Sequence, residues 1–373
     1  MGQSEVSSGK PFVEDTIVRI YSMTKSITTV AAMMLFEEGF FQLDDPVAIH
    51  LPEFRDTPVW IGGDSSIDST EPMKTPMTVR QLMTHTSGLT YGFMNSNVVD
   101  REYRRKNIHI PSDVGSLEEW IKHLATIPLM CQPGSEWNYS VSTDVLGRLV
   151  EVWSGMSLDQ FFKQRILQPL GMNDTGFHVE EKNHHRFSAL YAPLSGGDMS
   201  NVGKSQSVFE KKLSGYKLEE GVETSSYLSP TNVYSGGGGL TSTIADYGRF
   251  CQMLLNRGQL GGERLLSRKT VEFMRQNQLP DNRDMAAMGQ PVWSETNYDG
   301  IGFGLGFAVV IDPVKAHTIT SVGEHHWGGA ASTFFWIDPE EDLFVVFFTQ
   351  LIPSSTYPIR RELRSRVYQA IDD

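Results

Sequence analysis

The chain has 373 residues, of which 39% are hydrophobic and 21% charged, and its formal net charge at pH 7 is −13. This size and composition are typical of a globular protein whose core needs no disulfides. The negative charge argues against a nucleic acid or an anionic membrane as partner, because both are bound by basic surfaces, and no run approaches the roughly 18 apolar residues of a membrane span.

The amino terminus and the cysteines indicate the compartment. The first residues, Met-Gly-Gln-Ser-Glu-Val, lack the basic and then apolar pattern of a secretory signal. Cys131 and Cys251 are the only cysteines, and two thiols so far apart in sequence are more often reduced core residues than a disulfide. We therefore expect a cytoplasmic protein.

The first strong pattern is the stretch Tyr-Ser-Met-Thr-Lys at 21–25, which follows a short predicted strand at 17–21. Apolar residues then recur with helical spacing and predict a helix that Gly39 ends. On such a helix Ser22 and Lys25 share one face, and a buried lysine with a lowered pKa can act as the base that a serine nucleophile needs. The first turn of a helix also favours developing negative charge. Taken alone, the four-residue pattern Ser-x-x-Lys at 22–25 occurs by chance in most chains of this length, and a serine that opens a helix is usually a cap.

The middle of the chain predicts helices separated by loops. A helix is predicted to begin after Thr78, because threonine is a common N-cap residue. We read residues 57–75 as a surface loop, 90–115 as irregular and 174–235 as a long functional or wrapping loop. Further helices are predicted at 117–125, 145–153, 158–167 and 244–255.

The tail predicts an antiparallel meander followed by a covering helix. Its strands are expected at 304–311, 318–322, 333–337 and 343–349, and the apolar run 343–348 predicts a strand buried on both faces. Pro358 opens the last helix. We expect one catalytic unit, in which residues 1–21 and 290–373 form a sheet-containing region and 22–289 a mainly helical one, with the Ser22 helix between them.

Distinct sequence blocks follow one another along the chain: 21–25, 43–46, 78–89, 133–140, 236–240 and Trp327-Gly328-Gly329. In this order they resemble the serine β-lactamase-like hydrolases, which have the class C β-lactamase fold, and are most similar to the family VIII carboxylesterases. The resemblance implies an α/β fold of the α+β type, β-lactamase/transpeptidase-like, in which helices flank an antiparallel sheet. It also implies that the N-terminal strands of that sheet are shortened here.

The resemblance assigns further residues to the site. Tyr139 corresponds to the tyrosine of the family's second motif, and its phenolate form is favoured near a protonated lysine, so that Lys25 and Tyr139 can share and relay one proton. Trp327-Gly328-Gly329 corresponds to the third motif. The backbone N–H groups of Ala330 and Ser22 would then form an oxyanion hole.

Two departures from the β-lactamase pattern predict the substrate. Trp327 stands where the lactamases carry a lysine that helps to bind a carboxylate, and Val141 stands where they carry an asparagine that binds an amide. Both changes remove polar recognition and favour a small or medium uncharged ester as the partner molecule. We place Gly328, Gly329 and Tyr91 beside Trp327 and Val141 as substrate-binding residues.

Other readings remain open. A β-lactamase, a D-amino-acid peptidase or an acyltransferase could use the same residues, and an inactive binding protein is the alternative from another class. No G-x-S-x-G elbow occurs, and neither histidine pair has metal-binding helical spacing, so we expect no metal and no cofactor. With short N-terminal strands, a second copy of the chain could cover an open sheet edge.

Overall fold

The computed structural model describes residues 2–94, 96–109, 115–194, 215–289 and 298–372. In these ranges the α-helices are α1 Thr24–Glu37, α2 Val79–Met83, α3 Val98–Arg105, α4 Leu117–Leu124, α5 Ser142–Ser154, α6 Leu158–Phe162, α7 Gln168–Leu170, α8 Ile244–Leu255, α9 Arg268–Met274, α10 Met285–Met288 and α11 Ile359–Tyr368. The strands are β1 Gln3–Glu5, β2 Lys10–Pro11, β3 Val18–Arg19, β4 Val59–Trp60, β5 Thr70–Glu71, β6 Leu190–Pro193, β7 Tyr216–Glu220, β8 Thr241–Ser242, β9 Gln259–Leu260, β10 Glu263–Arg264, β11 Ile301–Phe303, β12 Ala308–Val310, β13 His325–Gly328, β14 Phe334–Asp338 and β15 Leu343–Phe347.

Helix α1 is the centre of the fold. Twelve of its fourteen residues are buried, including polar ones on the face away from the predicted apolar stripe. Those polar side chains are satisfied by loop carbonyls, as Ser26 donates to Gly306 O (3.1 Å) and Thr28 to Gly236 O (2.7 Å). The helix predicted after Lys25 is confirmed, but Ser22 lies in the 3-10 turn Tyr21–Met23 that precedes α1.

Five strands form the antiparallel sheet in the order β11-β12-β13-β14-β15. The strand predicted at 318–322 is wrong, because Ile319 and Val322 lie in an exposed loop (65% and 67% exposed) and the strand begins after the turn at Gly323. The strand predicted at 304–311 is shortened to β12 at Ala308–Val310, because residues 304–307 form the turn that follows β11. Gly306 has a φ of 84° and turns the chain between β11 and β12, a conformation open to glycine.

The prediction that 343–348 is buried on both faces is also wrong. Strand β15 is the last in the sheet order, pairs with β14 alone within it, and its side chains are all half-buried. Strand β14 lies between two neighbours and is buried along its whole length. The apolar run therefore predicted the strand correctly but not its position in the sheet, because that position depends on pairing between strands distant in sequence.

Residues 2–21 add no strand to this sheet within the described ranges. Strands β1 and β2 form a separate hairpin, and β3 pairs with β8. Arg19 in β3 is completely buried, and its guanidinium donates to Ser188 O (2.8 Å) and Glu220 Oε1 (3.0 Å). These bonds tie the chain just before Ser22 to the long 174–235 segment.

Most of the predicted helices are confirmed. Thr78 caps α2, and Gln81 completes a capping box with it. The reading of 90–115 as irregular is wrong for α3, whose apolar signal is masked by charged residues although Val99 and Tyr103 are buried. In the predicted 57–75 loop, β4 and β5 form a short hairpin, and the 158–167 helix continues through a π-helical turn, Lys163–Leu167, into α7.

A buried ion cluster lies at the start of β13. Glu324 is completely buried, accepts hydrogen bonds from Arg364 at 3.1 and 2.9 Å, and lies 2.7 Å from Nδ1 of His326. Burial opposes ionisation of Glu324, but the Arg364 guanidinium and His326 outweigh it and hold the pKa of this carboxyl well below its ordinary 4.5. The cluster anchors helix α11 to the sheet.

Glu324→Gln is expected to lower the free energy of unfolding by about 3–5 kcal/mol, because it removes the carboxylate from a buried ion pair with Arg364. The wild type should also lose stability as the pH falls below 4.5, since the unfolded chain binds the proton first. Urea unfolding at pH 7 and pH 4 measures both effects. Glu118→Gln, in an exposed ion pair with Lys122, is the control, and equal effects of the two substitutions would contradict the prediction.

Candidate active site

Ser22 is presented at the wall of a large cavity. Tyr21 has a φ of 43°, a left-handed conformation that is uncommon for a residue with a Cβ. It turns the chain from β3 into the 3-10 turn that carries Ser22. The cavity has a volume of about 1160 Å³, and among the described residues its walls include Phe93, Trp120, Val141, Phe177 and Tyr227. The hydroxyl is therefore open to a sizeable, mostly apolar space.

Lys25 lies under Ser22 and is only 2% exposed. Its Nζ is 3.3 Å from Ser22 Oγ, 2.9 Å from the Tyr91 hydroxyl and 2.6 Å from the carbonyl oxygen of Gly237. These contacts direct the amine at the serine. The sequence placed Lys25 on the same side as Ser22, and the structure brings the two groups within hydrogen-bond distance.

Tyr139 approaches Ser22 from the other side. Its hydroxyl donates to Ser22 Oγ at 2.6 Å, and Lys25 Nζ lies 4.7 Å from the centre of its ring. His85 packs on the Tyr139 ring with centroids 4.9 Å apart, and its Nδ1 lies 3.2 Å from Ser140 Oγ. Burial, and then the charge of Lys25, hold the pKa of His85 well below 6.5, so the imidazole is neutral and supports the turn around the site.

Tyr91 was placed among the substrate-binding residues, and it contacts Lys25 directly. Burial raises the pKa of Tyr91 well above 10, and the nearby Asp144 and Tyr139 add to this. The phenol is therefore protonated at neutral pH and accepts a hydrogen bond from Lys25. It also lines the cavity, so it can contact a bound molecule and the lysine together.

The Trp327-Gly328-Gly329 block lies at the end of β13, beside the serine. Ala330 lines the same cavity as Ser22. A Cβ on Gly329 would lie 2.4 Å from Ile20 O, so glycine lets this strand end pack against the chain that leads to Ser22. Trp327 and Gly328 line a smaller cavity of about 40 Å³ together with Tyr139, and the Trp327 and Tyr139 ring centroids are 5.5 Å apart.

Two groups near Lys25 were not singled out from the sequence. Asp144 is buried on α5, and its Oδ1 accepts hydrogen bonds from Ser235 Oγ (2.6 Å) and the backbone N–H of Gly237 (2.9 Å). A Cβ on Gly236 would lie 2.7 Å from Thr143 O, so the glycine-rich turn at 236–239 packs closely behind the site. No pattern in the sequence indicated that the carbonyl oxygen of Gly237 accepts a hydrogen bond from Lys25.

The described residues contain no group of three or more His, Cys, Asp or Glu side chains that could hold a metal ion. Within the same ranges, every helix falls short of the length or the hydropathy that a bilayer crossing requires.

Comparison with known proteins identifies the class. Residues 1–368 match the beta-lactamase family model, and the chain therefore belongs to the beta-lactamase family. It is 35% identical over 357 residues to an uncharacterized protein of Mycobacterium tuberculosis strain CDC 1551 (95% of this chain, 82% of the relative). It is 31% identical over 378 residues to esterase EstB of Burkholderia gladioli (98% and 86%).

A solved structure supports the same assignment. EstCE1, described as a hydrolase with promiscuous acyltransferase activity, superposes with a TM-score of 0.77 at 28% identity, over 98% of this chain and 88% of EstCE1. The fold is thus the β-lactamase/transpeptidase-like α+β fold that the sequence predicted, and the resemblance to family VIII carboxylesterases is confirmed. The chain is an enzyme of the serine hydrolase class.

Proposed function

We propose that the protein is a carboxylesterase in which Ser22 is the nucleophile and Lys25 and Tyr139 form the proton-transfer pair. The observation that carries this proposal is the position of Ser22 Oγ, 2.6 Å from the Tyr139 hydroxyl and 3.3 Å from Lys25 Nζ. A serine hydroxyl becomes nucleophilic when a base within hydrogen-bond reach takes its proton. Both partners satisfy that condition.

The reaction follows from this geometry in two halves. Ser22 Oγ bonds to the acyl carbon while its proton passes to the Lys25–Tyr139 pair. The pair returns that proton to the alkoxide as the ester C–O bond breaks, which releases the alcohol and leaves an acyl-serine. Water then attacks the acyl carbon and gives one proton to the pair, which returns it to Ser22 Oγ as the carboxylic acid leaves. The N–H groups of Ser22 and Ala330 would stabilise the oxyanion in both halves.

The test of this proposal uses the wild-type protein. Hydrolysis of p-nitrophenyl butyrate is expected, and a p-nitrophenyl phosphonate should add one mass adduct per chain, on Ser22 by peptide mapping. Folded protein that gives neither turnover nor adduct would overturn the esterase proposal. It would favour the alternative of an inactive binding protein with the same fold.

The cavity predicts the preferred ester. Its volume of about 1160 Å³ lies above the roughly 300–1,000 Å³ of common ligand pockets, and its walls are rich in aromatic side chains. Each methylene of the acyl chain buried there should contribute up to about 0.8 kcal/mol of binding. In a series of p-nitrophenyl esters, kcat/KM is therefore expected to rise from acetate to butyrate to octanoate, toward the medium end of the small or medium esters predicted from sequence.

Thr231→Trp provides the matched variant for this series. Thr231 is half-buried in the cavity wall, and a larger side chain there should reduce kcat/KM for octanoate more than for acetate. A flat series in the wild type, or equal losses for both esters in Thr231→Trp, would contradict a role of the cavity in binding the acyl group.

Acyl transfer to an alcohol is the second candidate, and the size of the cavity favours it. The space could hold an acceptor alcohol beside an acyl-serine, in the place of the hydrolytic water. An added alcohol should then accelerate release of p-nitrophenol and yield a new ester by mass spectrometry. For β-lactamase activity, nitrocefin is the probe, and we expect slow turnover because Trp327 supplies no charge for the carboxylate of a β-lactam.

A further inference from the structure

A buried carboxylate lies behind the catalytic lysine. Asp144 is 3% exposed and belongs to the first turn of α5, five residues after Tyr139. One of its oxygens accepts both the Ser235 hydroxyl and the Gly237 N–H, at 2.6 and 2.9 Å. Two donors on one oxygen favour the charged form of a carboxylic acid. The same residue lines the cavity that holds Ser22.

The Gly237 peptide connects this carboxylate to Lys25. Its N–H donates to Asp144, and its carbonyl oxygen accepts from Lys25 Nζ at 2.6 Å. A Cβ on Gly237 would lie 2.4 Å from the second oxygen of Asp144, so the peptide and the carboxylate are in tight contact. The carboxylate therefore holds the acceptor that directs the lysine toward Ser22.

The charges around Lys25 give Asp144 a second effect. The other titratable groups that face the lysine are His85, Tyr91 and Tyr139, from the turn after α2, the segment before α3 and the segment before α5. The pKa of His85 is held well below 6.5 and that of Tyr91 well above 10, in both cases chiefly by burial, so neither carries charge at neutral pH. Asp144 supplies the negative charge that offsets a buried ammonium.

We propose that Asp144 is a positioning residue of the acylation step, which holds Gly237 against Lys25 and sets the basicity of the Lys25–Tyr139 pair. This inference rests on the proposed function of that pair. Burial is the largest effect and raises the pKa of Asp144 above its ordinary 3.8, while Lys25 and the two hydrogen bonds oppose that rise. The bonded geometry supports the ionised form. A negative charge beside a base attracts the proton that the base accepts, so removal of the Asp144 charge should weaken the pair as a base.

Asp144→Asn removes the charge and keeps an oxygen that can accept from Ser235 and Gly237. The acidic limb of the pH profile is expected to move by about one unit to lower pH, as for loss of an opposite charge near a titrating group. The plateau rate should fall up to about tenfold, because a base weaker by one pKa unit removes the Ser22 proton less readily. A purely structural role for Asp144 would lower the rate without moving the limb.

The measurement is the rate of Ser22 phosphonylation between pH 5 and 10, followed by intact mass. It needs no natural substrate and reports on activation of the serine. Ser235→Ala is the matched control, since it removes one hydrogen bond to the Asp144 carboxylate and keeps the Asp144 charge. The acidic limb of its pH profile should therefore lie at the same pH as in the wild type. Thermal unfolding of each variant shows whether it is folded.

A second variant tests the inference if Asp144→Asn does not fold. Asp144→Ser leaves space beside Gly237 that formate can reach from the cavity. Added formate should move the acidic limb of the pH profile back to its wild-type position and raise the phosphonylation rate, whereas formamide should do neither. An unmoved limb in folded Asp144→Asn, or no formate rescue in folded Asp144→Ser, would overturn the inference. If the wild type is not phosphonylated at all, the proposed function itself fails, and the two failures are thus distinct.

Discussion

Ser22→Ala is expected to abolish turnover of p-nitrophenyl butyrate, with a fall in kcat of at least about 10⁴-fold, as is usual when a serine nucleophile is removed. The physical reason is that no other described hydroxyl lies within hydrogen-bond distance of both Lys25 and Tyr139. The phosphonate adduct should vanish together with the turnover. Initial rates and intact mass on the same preparations measure both.

Ser26→Ala is the matched control for Ser22→Ala. Ser26 lies one helical turn further along, is buried, and donates to Gly306 O at 3.1 Å, away from the cavity. Its loss should cost about 1 kcal/mol of stability for one hydrogen bond but leave the adduct on Ser22. Residual turnover in Ser22→Ala above 1% of wild type, after contamination is excluded by purification from an independent expression strain, would mean that another residue is the nucleophile.

Lys25→Met and Tyr139→Phe are expected to lower the rate of acylation by about 10²–10⁴-fold each, the range for loss of a general base. Because the two groups would share one proton, the double variant should be little worse than the more impaired single variant. Met fills the volume of the lysine stem in the core, and Phe keeps the ring that packs on His85. Single-turnover acylation with p-nitrophenyl acetate gives the four rates of the cycle.

Tyr191→Phe controls for loss of a tyrosine hydroxyl elsewhere. The Tyr191 hydroxyl accepts from the N–H of Val6 at 2.7 Å, near the N-terminal hairpin, so its removal should leave acylation unchanged. Strictly multiplicative losses in the Lys25 and Tyr139 cycle would contradict a shared proton. They would indicate two independent roles, such as a base and an oxyanion or leaving-group donor.

Local rules account for the predictions that were correct. The capped helix after Thr78, the helix after Lys25 and the facing of Ser22 and Lys25 depend on residues within a few positions of one another. The family was identified because its blocks occur in order along nearly the whole chain, and the family match over residues 1–368 agrees with this. The errors in the sheet arose where the chain pairs with distant strands.

The sequence by itself determined the class of enzyme, the helix that carries the site and the identity of its candidate serine, lysine and tyrosine. Only the tertiary structure decided that Tyr91 and the Gly237 carbonyl bind Lys25, that Asp144 lies behind them, and that Ser22 opens into a large apolar cavity. The reason is physical. Spacing along one helix dictates which side chains share a face, whereas contacts between residues 25, 91, 144 and 237 exist only after α1, α5 and the glycine-rich turn have packed together, and no local pattern encodes that packing.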